Sequence, residues 1–378
     1  MKFSNLLSGK TWKELSRFKK LTKKERSIVF YAENKASINH FRLLISELTQ
    51  NRGLQVCYVT SVENDPFFNE MNSNVHFFYI GDGSARTQFF LTLEADVLVM
   101  DMPDLENFHI KRSKTYSVHY IYIFHSIFST HTYLRKNALT NYDTIFCVGP
   151  HHINEIKKSE EIYSLKSKNL VEYGFGRLDD LIEKNKTQNF LNNERTILIT
   201  PTYGKNNLLE KCGIELIEIL LNAGFKVILR PHFRIFLESF SLIDKIEKKF
   251  KDDKNFSLEK GVIPFELFQN SLCLITDWSG ISFEYAFVFE KPVMFIDLPQ
   301  KIINSSYEEL GIESIEIKYR EQIGIIIPIH NLERILEFLN SFDKQKNINI
   351  IKNTRSSLIF NLGNSKIIGA NYIQNLIS

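Results

Sequence analysis

Cysteine is scarce in this chain, four in 378 residues, and none stands in C-x-x-C spacing. That excludes a disulfide framework and a cysteine-built zinc site. Cys57, Cys147, Cys212 and Cys273 are scattered, three of them in or beside apolar strand-like runs. They read as buried thiols in a reducing compartment. Long apolar stretches are missing too, since none approaches the roughly 18 uninterrupted residues of a spanning helix. The N-terminus lacks the apolar core and cleavage site of a secretory signal. A cytoplasmic protein is expected. No internal repeat or low-complexity segment is evident.

What remains is ordinary for a soluble globular chain: 43% apolar and 24% charged residues. The length suggests about two domains, each large enough for its own core. Charge is uneven. Residues 1–26 carry nine Lys/Arg against Glu14 and Glu25, a net +7, which leaves −4 for the rest of a chain whose total is +3. Leu6, Leu7, Trp12, Leu15, Phe18 and Leu21 recur among those bases at helical spacing. Such a segment suits an anionic membrane surface, on the inner face of the cell membrane, or packs as a lead-in helix on the first domain. Nucleic acid is not indicated, because no basic stripe continues beyond it.

The organising stretch is Leu272–Pro292, LCLITDWSGISFEYAFVFEKP. An apolar run to Thr276 predicts a strand buried on both faces. A polar elbow, Asp277–Gly280, and a helix over Ile281–Glu290 follow, and Val293 starts another strand. Elbows at the carboxyl ends of parallel strands are where open α/β sheets bind ligands. Ser279 and Gly280 would offer a hydroxyl and backbone N–H groups at a helix N-terminus. Glu284, one turn in, would accept hydrogen bonds from a ribose diol, or else is a surface residue of a capped helix.

Strands are predicted upstream at Ser27–Asn34, Leu54–Ser61, Val75–Ile80, Val97–Met102, Tyr120–Phe124 and Asp143–Gly149, and later at Thr196–Thr200, Lys226–Pro231 and Phe256–Leu258. Helical patterns lie between them, including Ser37–Asn51, Phe89–Leu93 and Leu208–Asn222, and the chain closes in helices at Leu332–Leu339 and Ser365–Ile377. This alternation predicts α/β architecture with two doubly wound, Rossmann-like parallel sheets facing a cleft. The boundary is placed in the glycine-punctuated and then polar stretch Glu172–Arg195. The resulting divisions are 1–26, 27–185, 186–345 and 346–378.

Three loops in the second half leave predicted strand ends: Thr200–Lys205 (TPTYGK), Arg230–Arg234 (RPHFR) and the elbow. Hydroxyls, Arg230, His232 and a helix N-terminus would converge along one sheet edge, as a diphosphate requires. In the first half, His125 follows a strand directly and is the candidate general base. The alternative is a structural imidazole bonded to backbone. His131 and His119 are weaker candidates.

On these residues the chain resembles the CDP-glycerol glycerophosphotransferases of teichoic-acid and capsule synthesis. LCLITDWSGISFEYAFVFEKPVMFID is similar to their LITDYSS-type motif, TPTY to their PTW segment and LRPHF to their KPH motif. FHSIF resembles their strand ending in His-Gly, DTIFCVGPHHINEI their next strand and helix, YGFGRLDDL their G-x-P-R-x-D linker, and FNLGNSKIIGANYI their closing helix. The resemblance covers roughly residues 117–378. It implies a GT-B fold and a metal-independent, cofactor-free transfer of a polyol phosphate from a CDP-linked donor to a hydroxyl of a polymer or lipid-linked acceptor. His125 would be the base. Arg230 and His232 would hold the diphosphate, with His232 helping the leaving group. Thr202, Asp277, Ser279 and Gly280 would line the pocket, and Glu284 would bind ribose or polyol. Ser126 replaces the family's Gly, and Gly204 its Arg. These departures leave open a ribitol phosphate enzyme or a glycosyltransferase using a UDP- or CMP-linked sugar; a non-catalytic binding module is a separate alternative, against which His125, Arg230, His232 and Glu284 argue.

Overall fold

Runs such as IVFYA and CLIT, apolar on both faces, can only be satisfied at the centre of a sheet covered on both sides. A computed structural model describes residues 2–70, 72–187, 195–261, 264–341 and 343–377, and shows such runs at the centres of two parallel sheets. The chain forms two compact units. One comprises Met1–Asp180, Ile303–Ile312 and Leu358–Ser378; the other comprises Leu181–Ile302 and Glu313–Ser357.

The first unit's seven strands are β1 (Ile28–Ala32), β2 (Val56–Thr60), β3 (Val75–Tyr79), β4 (Val97–Met100), β5 (His119–Ile123), β6 (Thr144–Cys147) and β7 (Asn169–Glu172). They lie in the order β3-β2-β1-β4-β5-β6-β7, all parallel. Helices α1 (Lys2–Lys19), α2 (Ile38–Ser46), α3 (Ser84–Leu91), α4 (Thr130–Tyr133), α5 (Pro150–Ile162) and α6 (Gly176–Thr187, running into the second unit) connect them. The core is rich in rings: Phe30, Tyr31, Phe41, Tyr58, Phe89, Phe90, Tyr120 and Tyr122 are fully enclosed. Of the basic N-terminal segment, Thr11, Leu15 and Phe18 face inward. Phe18 meets Phe78 and Phe89 edge-on at 5.4 and 5.2 Å. The lead-in helix is thus part of the first unit's packing, while Trp12 and the bases Lys10, Lys13, Lys19 and Lys20 face solvent. Leu6 and Leu7 lie outside the residues whose side chains are described.

The second unit has β8 (Thr196–Ile199), β9 (Lys226–Leu229), β10 (Phe256–Leu258), β11 (Cys273–Thr276), β12 (Val293–Asp297) and β13 (Gly324–Pro328). Their order is β10-β9-β8-β11-β12-β13, again parallel throughout. Its helices are α7 (Leu208–Asn222), α8 (Phe233–Glu238), α9 (Phe240–Phe250), α10 (Phe265–Asn270), α11 (Ile281–Phe289), α12 (Ile315–Lys318), α13 (Arg320–Ile323), α14 (Arg334–Ser341) and α15 (Lys344–Leu358). The last helix, α16 (Ser365–Ile377), belongs to the first unit. Each sheet winds outward in both directions from a central pair, β1/β4 in one and β8/β11 in the other. Between the members of such a pair the connections diverge and leave a crevice at the carboxyl edge.

All four cysteines are buried free thiols, as the sequence suggests. Burial raises the pKa of each, to about 12 for Cys57, Cys212 and Cys273. Part of the polar boundary, residues 188–194, lies outside the described residues; up to Thr187 the chain is helical rather than linker.

Candidate functional site

At the second unit's crevice, the loop after β8 and the elbow after β11 are tied together by one carboxylate. Asp277 Oδ1 accepts from the backbone N–H groups of Thr202 (2.8 Å) and Trp278 (2.8 Å), and Oδ2 accepts from Leu208 (3.0 Å). Burial pushes the pKa of Asp277 up, against the pull of these three donors. Its oxygens are committed to the loop, so Asp277 shapes the pocket more directly than it could touch a ligand. Asn207 caps α7, accepting from the Glu210 N–H at 3.2 Å. A pocket of about 300 Å³ opens there, lined by Thr202, Tyr203, Lys205, Asp277, Trp278 and Lys301 among others.

Ser279 and Gly280 sit at the start of α11, and a Cβ on Gly280 would meet nothing within 4 Å, so the space above the elbow is open. Glu284 lies in the first turn of α11, a helix enclosed along almost its whole length, and is itself buried rather than a surface residue.

Arg230 leaves β9 next to β8. It is half-buried, has no carboxylate partner among the described residues, and its pKa is lowered by burial. His232 caps α8: its Nδ1 accepts from the Arg234 N–H at 3.2 Å. Burial, then the charges of Arg230, Lys301 and Arg234, press its pKa down to about 4. The ring is therefore neutral, and with Nδ1 accepting, Nε2 carries the proton and is a donor. The Tyr203 ring gathers these groups. His232 lies 4.5 Å from it, the Arg234 guanidinium 4.7 Å and the Lys301 ammonium 3.0 Å. Lys301 Nζ also donates to Thr202 Oγ1 at 3.1 Å. The edge thus carries Arg230, His232, Arg234 and Lys301 with no ion pair to any of them among the described residues, which suits a polyanion.

In the first unit, His125 leaves β5 at the carboxyl edge and is exposed to solvent. Its ring is flanked by Tyr133 at 5.8 Å and His40 at 6.3 Å. Although the residue is exposed, partial desolvation by the surrounding side chains lowers its pKa below the ordinary histidine value, partly opposed by the backbone of Asp101. The segment after it is held from α5. His151 Nε2 pairs with the Ile127 carbonyl (2.8 Å), His152 Nε2 with that of Phe128 (3.0 Å), and Glu155 accepts from the N–H and hydroxyl of Thr130 (2.6 and 2.7 Å). Burial alone would raise the pKa of Glu155, but His131, His151 and His152 hold it at about 2. His131 is enclosed against Glu155 and belongs to this scaffold, while His119 bonds Thr144 Oγ1 inside the sheet.

Arg234 lies in the RPHFR loop expected at this edge, whereas the roles of Tyr203, Lys301 and Asp101 are not evident from the sequence. Asp101 ends β4 beside β5, buried, accepting from Ser37 Oγ at 3.0 Å, and desolvation raises its pKa to about 7. Asp101, directly after β4, and Lys301, shortly after β12, also stand at strand ends, which is the signal that marks them.

Three comparisons bear on this geometry. Residues 14–300 match the family described as CDP-glycerol:poly(glycerophosphate) glycerophosphotransferase. No curated protein matches the sequence. Among solved structures, a variant of the wall teichoic acid polymerase TagF superposes with a TM-score of 0.60 at 15% identity, covering 99% of this chain and 95% of that one. The S. aureus MnaA–UDP co-structure gives 0.59 at 12% identity, covering 92% and 97%. A UDP-N-acetylglucosamine 2-epimerase gives 0.60 at 10% identity, covering 91% and 94%. At these identities the structures speak for a shared fold of two Rossmann-like units, the GT-B class.

Proposed function

Because the chain belongs to the CDP-glycerol:poly(glycerophosphate) glycerophosphotransferase family, a family of transferases acting on surface polymers, we propose that its second unit grips the diphosphate of CDP-glycerol and its first supplies the base. An acceptor hydroxyl attacks the β-phosphorus and a new P–O bond forms. The bond from that phosphorus to the bridging oxygen breaks, CMP departs with the electron pair, and His125 takes the hydroxyl proton. Arg230 and the Nε2–H of neutral His232 stabilise the charge growing on the departing phosphate. Ser279 and Gly280 bind phosphate above the elbow, Thr202 lines the pocket, Asp277 positions it, and Glu284 takes the ribose or glycerol hydroxyls. Such a reaction is catalysed by positioning and charge more than by covalent chemistry.

The observation that carries this reading is the uncompensated basic edge at the crevice, built on a loop that one buried carboxylate holds in place. Thermal-shift titration with CDP, UDP, GDP and CMP tests it. A ligand at 100 times its Kd stabilises by about 2.7 kcal/mol, and CDP is expected to give the largest shift. Preference for UDP would instead point to a nucleotide-sugar enzyme.

The outer face of α1, with Trp12 and its lysines, supports peripheral attachment to an anionic membrane, driven by charge because Leu15 and Phe18 are turned inward. Liposome sedimentation should then weaken as salt shortens the screening length below about 10 Å. Sedimentation that does not change with salt would contradict it.

A further inference from the structure

We infer that Lys301 is a further ligand of the donor's phosphates, presented from the loop after β12 by Tyr203 and Thr202. This rests on the donor-site reading above and extends it to a residue just outside the family match, which ends at residue 300.

Lys301 is half-buried, and its one hydrogen bond among the described residues is to a neutral hydroxyl. Holding an ammonium away from water without a counter-ion is unfavourable unless something anionic completes the site. Three sets of charged groups face it. Asp277 on the elbow and Glu238 on α8 favour its charge, and Arg234 on α8 opposes it. Asp277 forms no ion pair with Lys301 among the described residues, and its oxygens instead accept from three backbone N–H groups. Desolvation outweighs the two acids and brings the Lys301 pKa down to about 8.

The loop is also fixed in place. Trp278 Nε1 donates to the Leu298 carbonyl at 2.9 Å, and Gln300 Nε2 to Ser314 Oγ at 3.0 Å. The buried guanidinium of Arg320 covers the Trp278 ring at 4.0 Å. Elbow and Lys301 loop are therefore joined, and the ammonium is aimed before any ligand arrives. Preorganisation of this kind strengthens binding by avoiding ordering on association. An anion beside Lys301 would raise its pKa, so binding should take up a proton near pH 8.

The test is calorimetric titration of the full-length protein and its Lys301→Met and Lys301→Arg variants with CDP, inorganic pyrophosphate and cytidine, between pH 6.5 and 9.5. Terminal phosphates, with a second pKa near 6, are ionised over most of that range, and His232 at about 4 stays neutral. Lys301→Met is expected to weaken CDP and pyrophosphate about 10- to 100-fold at pH 7, the range for a charge-assisted hydrogen bond, and to leave cytidine unchanged. Wild-type affinity for CDP should fall as pH rises through 8, and Lys301→Arg should bind at every pH without that fall. Equal CDP affinity in wild type and Lys301→Met would overturn the assignment, as would parallel loss of CDP and cytidine binding, which marks a purely structural role. Failure of the wild type to bind any diphosphate would overturn the donor site itself.

Discussion

His125 and Asp101 end neighbouring strands and should respond to pH in opposite ways. His125 has its pKa lowered by desolvation, so the ring is the free base at neutral pH. kcat/KM should decline as pH drops through that lowered value, and a profile with no acid limb would count against it as base. His125→Ala is expected to lose about 10²- to 10⁴-fold in turnover, the usual contribution of a general base, while circular dichroism shows it folded. For Asp101 the folded pKa, about 7, stands above that of an unfolded aspartate. Its stabilising contribution is therefore complete below about pH 4 and disappears as pH rises to 7, a difference of up to roughly 4 kcal/mol. Asp101→Asn, which can still accept from Ser37, should raise the urea midpoint at pH 8 and match wild type near pH 4. The residues legible in sequence were those standing directly at strand ends: His125, Arg230, His232 and the elbow. Tyr203 and Lys301 were not, because their pairing spans almost a hundred positions and exists only once β8, β11 and β12 lie side by side.

At the scale of elements, two motifs far apart in the chain form one joint. Asp179, in α6, accepts from the N–H groups of Gly363 (2.7 Å) and Ser365 (3.2 Å) and from the Ser365 hydroxyl, fastening the start of α16. Beside it Phe360 N–H donates to the Val148 carbonyl at 2.9 Å. A Cβ on Gly149 would lie 1.7 Å from the Leu358 carbonyl oxygen, and one on Gly369 would lie 2.7 Å from the Tyr173 ring. Asp179→Ala should cost about 2–4 kcal/mol, since it leaves buried donors unmet, and should expose α16 to protease. An unchanged urea midpoint would show that the joint is dispensable. The central strands were readable because both faces are apolar. The edge strands β7 (NLVE) and β13 (GIIIP) were not, the first having two apolar residues and the second being framed by Gly and Pro. Helix α11 is legible from the spacing of its apolar residues, although the structure buries nearly every face of it.

For the whole molecule, the fold class was legible from alternation of strand and helix, which leaves a doubly wound sheet as the simple solution. The excursion of residues 303–312 to the first unit was not. Its anchor is made by backbone, Ile303 and Asn304 N–H donating to the Thr132 carbonyl at 3.0 and 3.1 Å, and backbone bonds leave no compositional trace. In the proposed reaction the first unit supplies a base and the second a basic phosphate edge. The most direct measurement supplies labelled CDP-glycerol and a lipid-linked polyol phosphate acceptor to purified protein, and follows CMP release together with label on the acceptor. Wild type should release one CMP for each glycerol phosphate transferred, and His125→Ala should still bind CDP yet transfer at least a hundredfold more slowly. Transfer undiminished in that variant, or a wild type that binds CDP but moves no glycerol phosphate, would contradict the account.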